Sequence, residues 1–467
     1  MKKVGVVVLV VVLLVLALPA VLGAMTESKV RDRVAAVDSN NMLSAEVRSY
    51  ERGWLKSRAI IDVTLDPAYV NQFGAQDAVP PLDGNLALLV DIAHGPVAML
   101  DGPYFGLAKT VAYPDPSAPN VAEAQQRLGV PYLFRWRGRL GFTGGLTFDA
   151  EVPAFELPAD EADMQFSGAF VDGTLRGNRL KADARIDSAQ FSSPDGTFVL
   201  RNLRGNSNNE IVSQYIMPGT ATFSIESVSL VDGPVGAAPL FEMSNLRVAN
   251  GMTLKADDTL FDASVTYSFD SLTANGMRFS EGTMSLALNN IDVALMNAYV
   301  DAVQRAGNDP SALVASMAPL LQRGLAAGPS FAMDPITFKL DDEPLDARVE
   351  LSMNPDALPP AGALDVNDPT LWMTVANAKA SVNVSKKLAT RLAALAVQMQ
   401  LSMQYGDDPN MTPQQLQYLA EAQSGLFLVA LTGQGILIDS GDGYRSEFGL
   451  ANGTMTLNGN PLPFGLP

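Results

Sequence analysis

Phe261, Ala263, Val265, Tyr267 and Phe269 stand at every second position, with a polar residue at each position between them. Successive strand side chains point to opposite faces, so this spacing buries one face and wets the other. A helix cannot use it. The same period governs most of the chain. Ala59, Ile61, Val63 and Leu65 form one such segment, and Leu86, Leu88, Val90 and Ile92 form the next, stopped by Gly95-Pro96. Phe134, Trp136, Gly138, Leu140 and Phe142 share a face, and Leu146, Phe148, Ala150 and Val152 continue after Gly144-Gly145. From Gln165 to Leu254, short alternating runs are separated by Asp-Gly, Gly-Asn and Asn-Gly, the dipeptides of tight turns. Residues 45–290 therefore read as mostly antiparallel strands.

A second feature bears on placement. Val4 to Ala24 is a stretch of twenty-one residues without a charged or polar side chain. As a helix it would span about 30 Å, the thickness of a bilayer's hydrocarbon core. Lys2 and Lys3 precede it, which predicts a cytoplasmic N-terminus and everything from Thr26 onward across the membrane. A cleaved signal peptide is the other reading, with an apolar core longer than such signals carry and Leu22 at −3 if Ala24 is at −1. Val30, Val34 and Val37 then suggest a short juxtamembrane helix over 26–37.

The chain carries 50 acidic and 32 basic residues, a formal net charge of −18. Phosphate binding needs a basic surface, so nucleic acid is not expected as a partner. Cysteine is absent, which removes disulfides, thiol nucleophiles and Cys metal cages; the sole histidine is His94. No Gly-rich phosphate loop, dinucleotide fingerprint, zinc spacing or calcium loop is present, so no cofactor or metal is expected.

In the C-terminal part an order of elements recurs. Ser285 to Asn289 reads as a strand, Leu295, Tyr299 and Val303 as a helix, and Asp309-Pro310 opens a second helix. Strands follow at 336–340 and 345–351. About a hundred residues later Val382 and Val384 lead into Leu388, Leu392, Leu395 and Met399, and Thr412-Pro413 opens another helix before strands at 435–438 and 445–450. Helices are expected at about 292–306, 310–324, 386–405 and 413–424. The resulting fold class is α+β: an N-terminal transmembrane helix, then long twisted antiparallel sheets with helix pairs inserted in the C-terminal half. The expected divisions are an anchor at 1–25, a juxtamembrane helix and linker at 26–44, a β region at 45–275, and β-α-α-β-β repeats at 276–467 (about 280–355 and 377–460).

Three stretches together resemble the YdgA/YihF-type family of bacterial envelope proteins of unknown function. They are Ser49-Tyr50-Glu51-Arg52-Gly53-Trp54-Leu55-Lys56-Ser57-Arg58-Ala59, the His94-Gly95-Pro96 run, and Tyr444 to Phe448 followed by Asn452 to Gly459. Leu55 stands where that family has Phe. The resemblance implies an inner-membrane anchor with a β-rich periplasmic body, and no reaction. A remoter likeness is to AsmA-like proteins, whose long sheets form an apolar groove for lipid.

Three groups of residues are candidates for a site. His94 could act as a base, but no nucleophile motif ties it to a serine, and His94-Gly95-Pro96 fits a turn in which the imidazole caps backbone groups. Tyr50, Arg52, Gly53, Trp54 and Ser57 fit a tight hairpin, or a recognition corner with Trp54 at headgroup level. Arg135, Arg137 and Arg139 share one strand face and could bind an anion; pairing with Asp149 and Glu151 in the register Arg137–Asp149 or Arg135–Glu151 is the alternative. An enzyme is not expected. The favoured function is an inner-membrane-anchored periplasmic binder or carrier of an apolar envelope ligand such as phospholipid, held on a face bearing Met243, Met252, Met277 and Met284. The runner-up is a structural envelope protein that binds other proteins and no small molecule.

Overall fold

A computed structural model describes residues 43–65, 85–157, 163–193, 196–213, 216–232, 239–274, 276–306, 320–360, 364, 368–405 and 412–462. The chain forms two compact units, Met1–Val212 with Gly233–Val235, and Ser213–Asp232 with Gly236–Pro467.

The first unit is an antiparallel meander in which almost every strand pairs with the next in sequence. Its strands are β1 (Leu43–Arg52), β2 (Lys56–Leu65), β3 (Asn85–His94), the short hairpin β4 (Val97–Met99) and β5 (Pro103–Phe105), β6 (Ala108–Pro114), β7 (Arg135–Leu140) and β8 (Leu146–Val152). They continue as β9 (Phe155–Leu157), β10 (Asp163–Phe166), β11 (Ala169–Arg176), β12 (Arg179–Ser193) and β13 (Gly196–Glu210). Pairing runs β1–β2–β3–β6–β7–β8–β11–β12–β13, while β9 and β10 extend the lines of β8 and β11. The β4–β5 hairpin stands apart as a two-stranded ribbon. Gly53 makes the β1–β2 turn possible, since a Cβ there would lie 2.2 Å from the backbone oxygen of Lys56.

The second unit holds β14 (Gly219–Asp232), β15 (Pro239–Leu254), β16 (Leu260–Ala274), β17 (Met277–Asp292), β18 (Ser330–Leu340), β19 (Glu343–Met353) and β20 (Ala376–Ser385). It closes with β21 (Ile438–Asp439), β22 (Gly443–Ala451), β23 (Thr454–Leu457) and β24 (Asn460–Pro461). The order is β14–β15–β16–β17–β18–β19–β20–β22–β23–β24, with β21 also on β22, all antiparallel. β16 and β17, on either side of the expected boundary at 275–276, pair within this unit. Helical chain leaves the sheet between β17 and β18 and again between β20 and β22, and each time the strands on either side pair directly. The helices Lys386–Tyr405 and Pro413–Gly433 bury Ala389, Ala393 and Leu428 together. Thr412 and Gln415 cap the second reciprocally, with Pro413 at its first position.

The fold class inferred from the sequence needs correction. The described residues are mostly antiparallel sheet, with strand at 60% and helix at 22%. None of the described helices is long and apolar enough to cross a membrane. An N-terminal transmembrane helix is therefore not supported; residues 4–24, and the helix expected over 26–37, lie outside the described residues. The sequence signal measured transfer cost from water, which is not evidence of backbone conformation. Two further helices, Pro119–Leu128 and Pro369–Val375, lie outside the expected helical windows, each opened by a proline. The last helix runs past 424 to Gly433, because Gly425 lies open and Leu-Phe-Leu-Val-Ala-Leu after it favours helix.

Candidate functional site

Two of the three family-like motifs, Ser49–Ala59 and His94–Pro96, meet at one end of the first unit, while Tyr444–Gly459 lies in the second. Ser57 begins β2 and His94 ends β3, and these strands are neighbours, with Ser57 opposite Ile92. Antiparallel pairing puts Ser57 and His94 on the same face, and their side chains bond: Ser57 Oγ lies 2.7 Å from His94 Nε2. Both are buried, at 4% and 1% exposure. Backbone bonds fix the corner, from His94 N–H to Leu55 O at 2.8 Å and from Gly95 N–H to Leu107 O at 3.0 Å. Gly95 takes φ 103, the left-handed region that favours glycine. His94 Nδ1 is buried without a hydrogen-bond partner. The pair thus has a hydroxyl and an imidazole within bonding reach, but among the described residues no third group orients the ring as a nucleophile–base pair needs. The nearby carboxylate, Asp91, instead accepts from Arg58 at 2.7 Å and from the Tyr113 hydroxyl at 3.2 Å.

Burial holds the His94 pKa below its ordinary value of 6.5. The unfolded chain therefore binds this proton near pH 6.5 and the folded chain only further down. Between the two values the unfolded state holds more protons, so stability is complete above about pH 6.5 and falls as pH drops through that window. With His94 as the sole histidine, the urea midpoint should decline as pH falls below about 6.5, and a His94→Asn chain should lack that step.

Tyr50 and Arg52 end β1, and Trp54 sits in the turn at 53% exposure. A ten-residue strand places this corner about 33 Å from Leu43.

The arginine ladder is paired in the expected register, Arg135 opposite Glu151 and Arg137 opposite Asp149. Arg135 Nη2 donates to Glu151 at 2.6 Å, Arg137 Nε to Asp149 at 2.5 Å, and Arg139 joins Asp149 as well. Burial opposes the charge on Glu151, but hydrogen bonds from Tyr132 and Arg135 outweigh it and hold its carboxyl below the usual range. These guanidinium groups are occupied by carboxylates. Arg137→Ala should cost about 1–3 kcal/mol in a denaturant titration, since it removes the guanidinium shared by half-buried Asp149 and Glu151 and leaves each with fewer donors. Arg204→Ala, which breaks the exposed pair with Asp187, should cost under about 1 kcal/mol.

The second unit carries the apolar face. Phe223, Val248, Tyr267, Met284, Ile336, Ala347 and Val382 stand opposite one another in one row across seven strands. At about 4.8 Å per strand that row is roughly 29 Å wide. Met252, Ala263, Leu288, Phe331, Leu351, Ala378 and Leu450 make a second row. Met243 lies between Val228 and Leu272, with Phe279 and Leu340 beyond; Met277 faces Ala274, itself opposite Phe241. All four methionines are half-buried. Strict alternation would put Met243 and Met252 on opposite faces, but Asn245 at φ 52 changes the phase. The half-buried positions switch there from Phe241 and Met243 to Leu246, Val248 and Met252. Glu281 at φ 51 does the same on β17, where Phe279 gives way to Met284 and Leu286.

Contacts of the described helices with this sheet fall mainly on β17, β19, β20 and β22. On β14 to β16 the apolar rows stay open: Phe223 is 36% exposed, Tyr267 38% and Leu230 42%. No group of His, Asp and Glu among the described residues could hold a metal ion.

Compared with known proteins, the chain matches a family model described as "Bacterial protein of unknown function (DUF945)" over residues 1–464. No curated protein and no solved structure matches it.

Proposed function

We propose that this chain, which belongs to the bacterial protein family of unknown function DUF945, binds and carries an apolar ligand with acyl chains, such as a phospholipid, on the sheet of its second unit. The observation that carries this reading is the row from Phe223 to Val382 on strands whose apolar side chains stay half-exposed on β14 to β16. Apolar strips of this extent on a folded chain mark ligand or partner sites. Methionines in this row and in three others on the same sheet suit chains of varied shape. The likeness of the Ser49–Ala59, His94–Pro96 and C-terminal motifs to YdgA/YihF-type proteins supports an envelope setting with the body in the periplasm. The remoter AsmA-like resemblance supports the sheet as the carrying surface. The experiment is titration of the full chain with cis-parinaric acid, an acyl probe that fluoresces in apolar surroundings. Saturable enhancement, reversed by added phospholipid, is expected; no enhancement would contradict the reading.

One observation favours the partner-binding alternative. The helix Lys386–Tyr405 exposes Leu392, Leu395, Met399 and Met403 at helical spacing, and Pro413–Gly433 exposes Tyr418, Leu426 and Val429. If those stripes alone carry function, Leu426→Glu will disrupt it while parinaric acid shows no binding to wild type or variant.

A further inference from the structure

The geometry points to a second interaction surface, on the first unit: the strand ends around Trp54 and Phe105 dock on the surface of an anionic phospholipid bilayer. Pairing puts the end of β1, the start of β2, the end of β3, the start of β6, the end of β7 and the start of β8 at the same end of the sheet. Three connections there present large apolar side chains to solvent. The β1–β2 turn exposes Trp54 and Leu55, at 53% and 51%. The β7–β8 turn exposes Phe142, at 58%. The β4–β5 ribbon turns Ala98 and Tyr104 inward, leaving Val97, Met99 and Phe105 outside at 48%, 59% and 72%. Apolar side chains at turn tips cannot be completing a core of their own sheet, because the strands end beneath them.

Charge selects the occupant. The exposed cations at this end are Arg52, Lys56, Arg176, Arg179 and Lys181. Arg176 belongs beside Phe142: a Cβ on Gly145 would lie 3.5 Å from its Cγ. The acids at this end are the exposed Glu51 and Asp101 and the half-buried Glu210; Asp101 already lies 3.8 Å from Arg137, and Glu210, opposite Arg179, accepts from Asn178 at 2.6 Å. A cationic, apolar end on a chain of net charge −18 is a local reversal. Aromatic and aliphatic tips ringed by Arg and Lys match the boundary between acyl chains and phosphates. This surface is independent of the apolar row of the second unit.

The chain has no cysteine, so single-cysteine variants of the full chain report locally. An NBD fluorophore at Phe105→Cys and, separately, at Glu156→Cys on β9 at the other end would be mixed with phosphatidylcholine–phosphatidylglycerol vesicles. The label at 105 should brighten, shift to shorter wavelength and be quenched by nitroxide-bearing lipid; the label at 156 should not. Arg176→Glu and Arg179→Glu should each weaken the response roughly fivefold. A silent label at 105, even on protein that floats with vesicles through another segment, would overturn the proposal. So would equal responses at both positions, or a response at 105 driven by protein concentration without vesicles.

Discussion

A Tyr267→Asp chain should lose at least about tenfold, and up to about a hundredfold, of its affinity for acyl ligands while keeping its fold. Tyr267 stands at the middle of the long apolar row, directly between Val248 and Met284. At 38% exposure its replacement leaves a carboxylate in contact with water in the free protein, so the ligand-free chain tolerates it. The loss of an aromatic strand residue costs up to about 1 kcal/mol. Binding changes the comparison. An acyl chain laid along the row would cover that carboxylate, and burying an unpaired charge costs several kcal/mol. Parinaric acid titration of wild type and variant, with circular dichroism of both, measures the effect. On the other face, Ser264→Asp should leave affinity within about twofold, because strand neighbours of opposite parity point away from the ligand.

His94→Ala should be the most damaging single change in the first unit, at about 3 kcal/mol or more. It removes a side chain that is only 1% exposed and leaves Ser57 Oγ buried without its partner. Cavity formation and an orphaned hydroxyl contribute together. Ser57→Ala should cost about 1–2 kcal/mol, because it empties less volume while still stranding Nε2. The ordering matters. If the pair served only as a nucleophile and base, both changes would leave stability near wild type. Urea unfolding, read separately for the two units, checks the pair of values.

Much of the fold was legible because alternation is a local signal. The run from Phe261 to Phe269 falls inside β16, and Arg135, Arg137 and Arg139 take the register that Asp149 and Glu151 suggest. That register could be read because a short Gly-rich turn fixes it. The Ser57–His94 contact could not be read. Nineteen residues separate β2 from β3, a spacing from which the sequence does not dictate which residue of one strand meets which of the other. The phase of the apolar face was hidden too. Nothing in the hydropathy of Asn245 or Glu281 announces a positive φ, yet each moves the half-buried set from odd to even positions. The chemistry of Met243, Met252, Met277 and Met284 says nothing of register, and four separate cross-strand rows hold them. The short helix Pro119–Leu128 carried a proline at its first position and Gly129 past its end, and Pro369–Val375 an Asp-Pro opening, signals that two- and three-turn helices do not reinforce with a long apolar period.

The central claim concerns one face of one sheet, so the most direct measurement separates its two faces. A photoreactive benzoyl-phenylalanine placed at Tyr267, and in a second chain at Ser264, would be irradiated in growing bacteria whose phospholipid is radiolabelled. The account predicts a lipid adduct at position 267 and little or none at 264. Equal labelling at both positions, labelling at neither, or a protein adduct in place of lipid at 267 would contradict it.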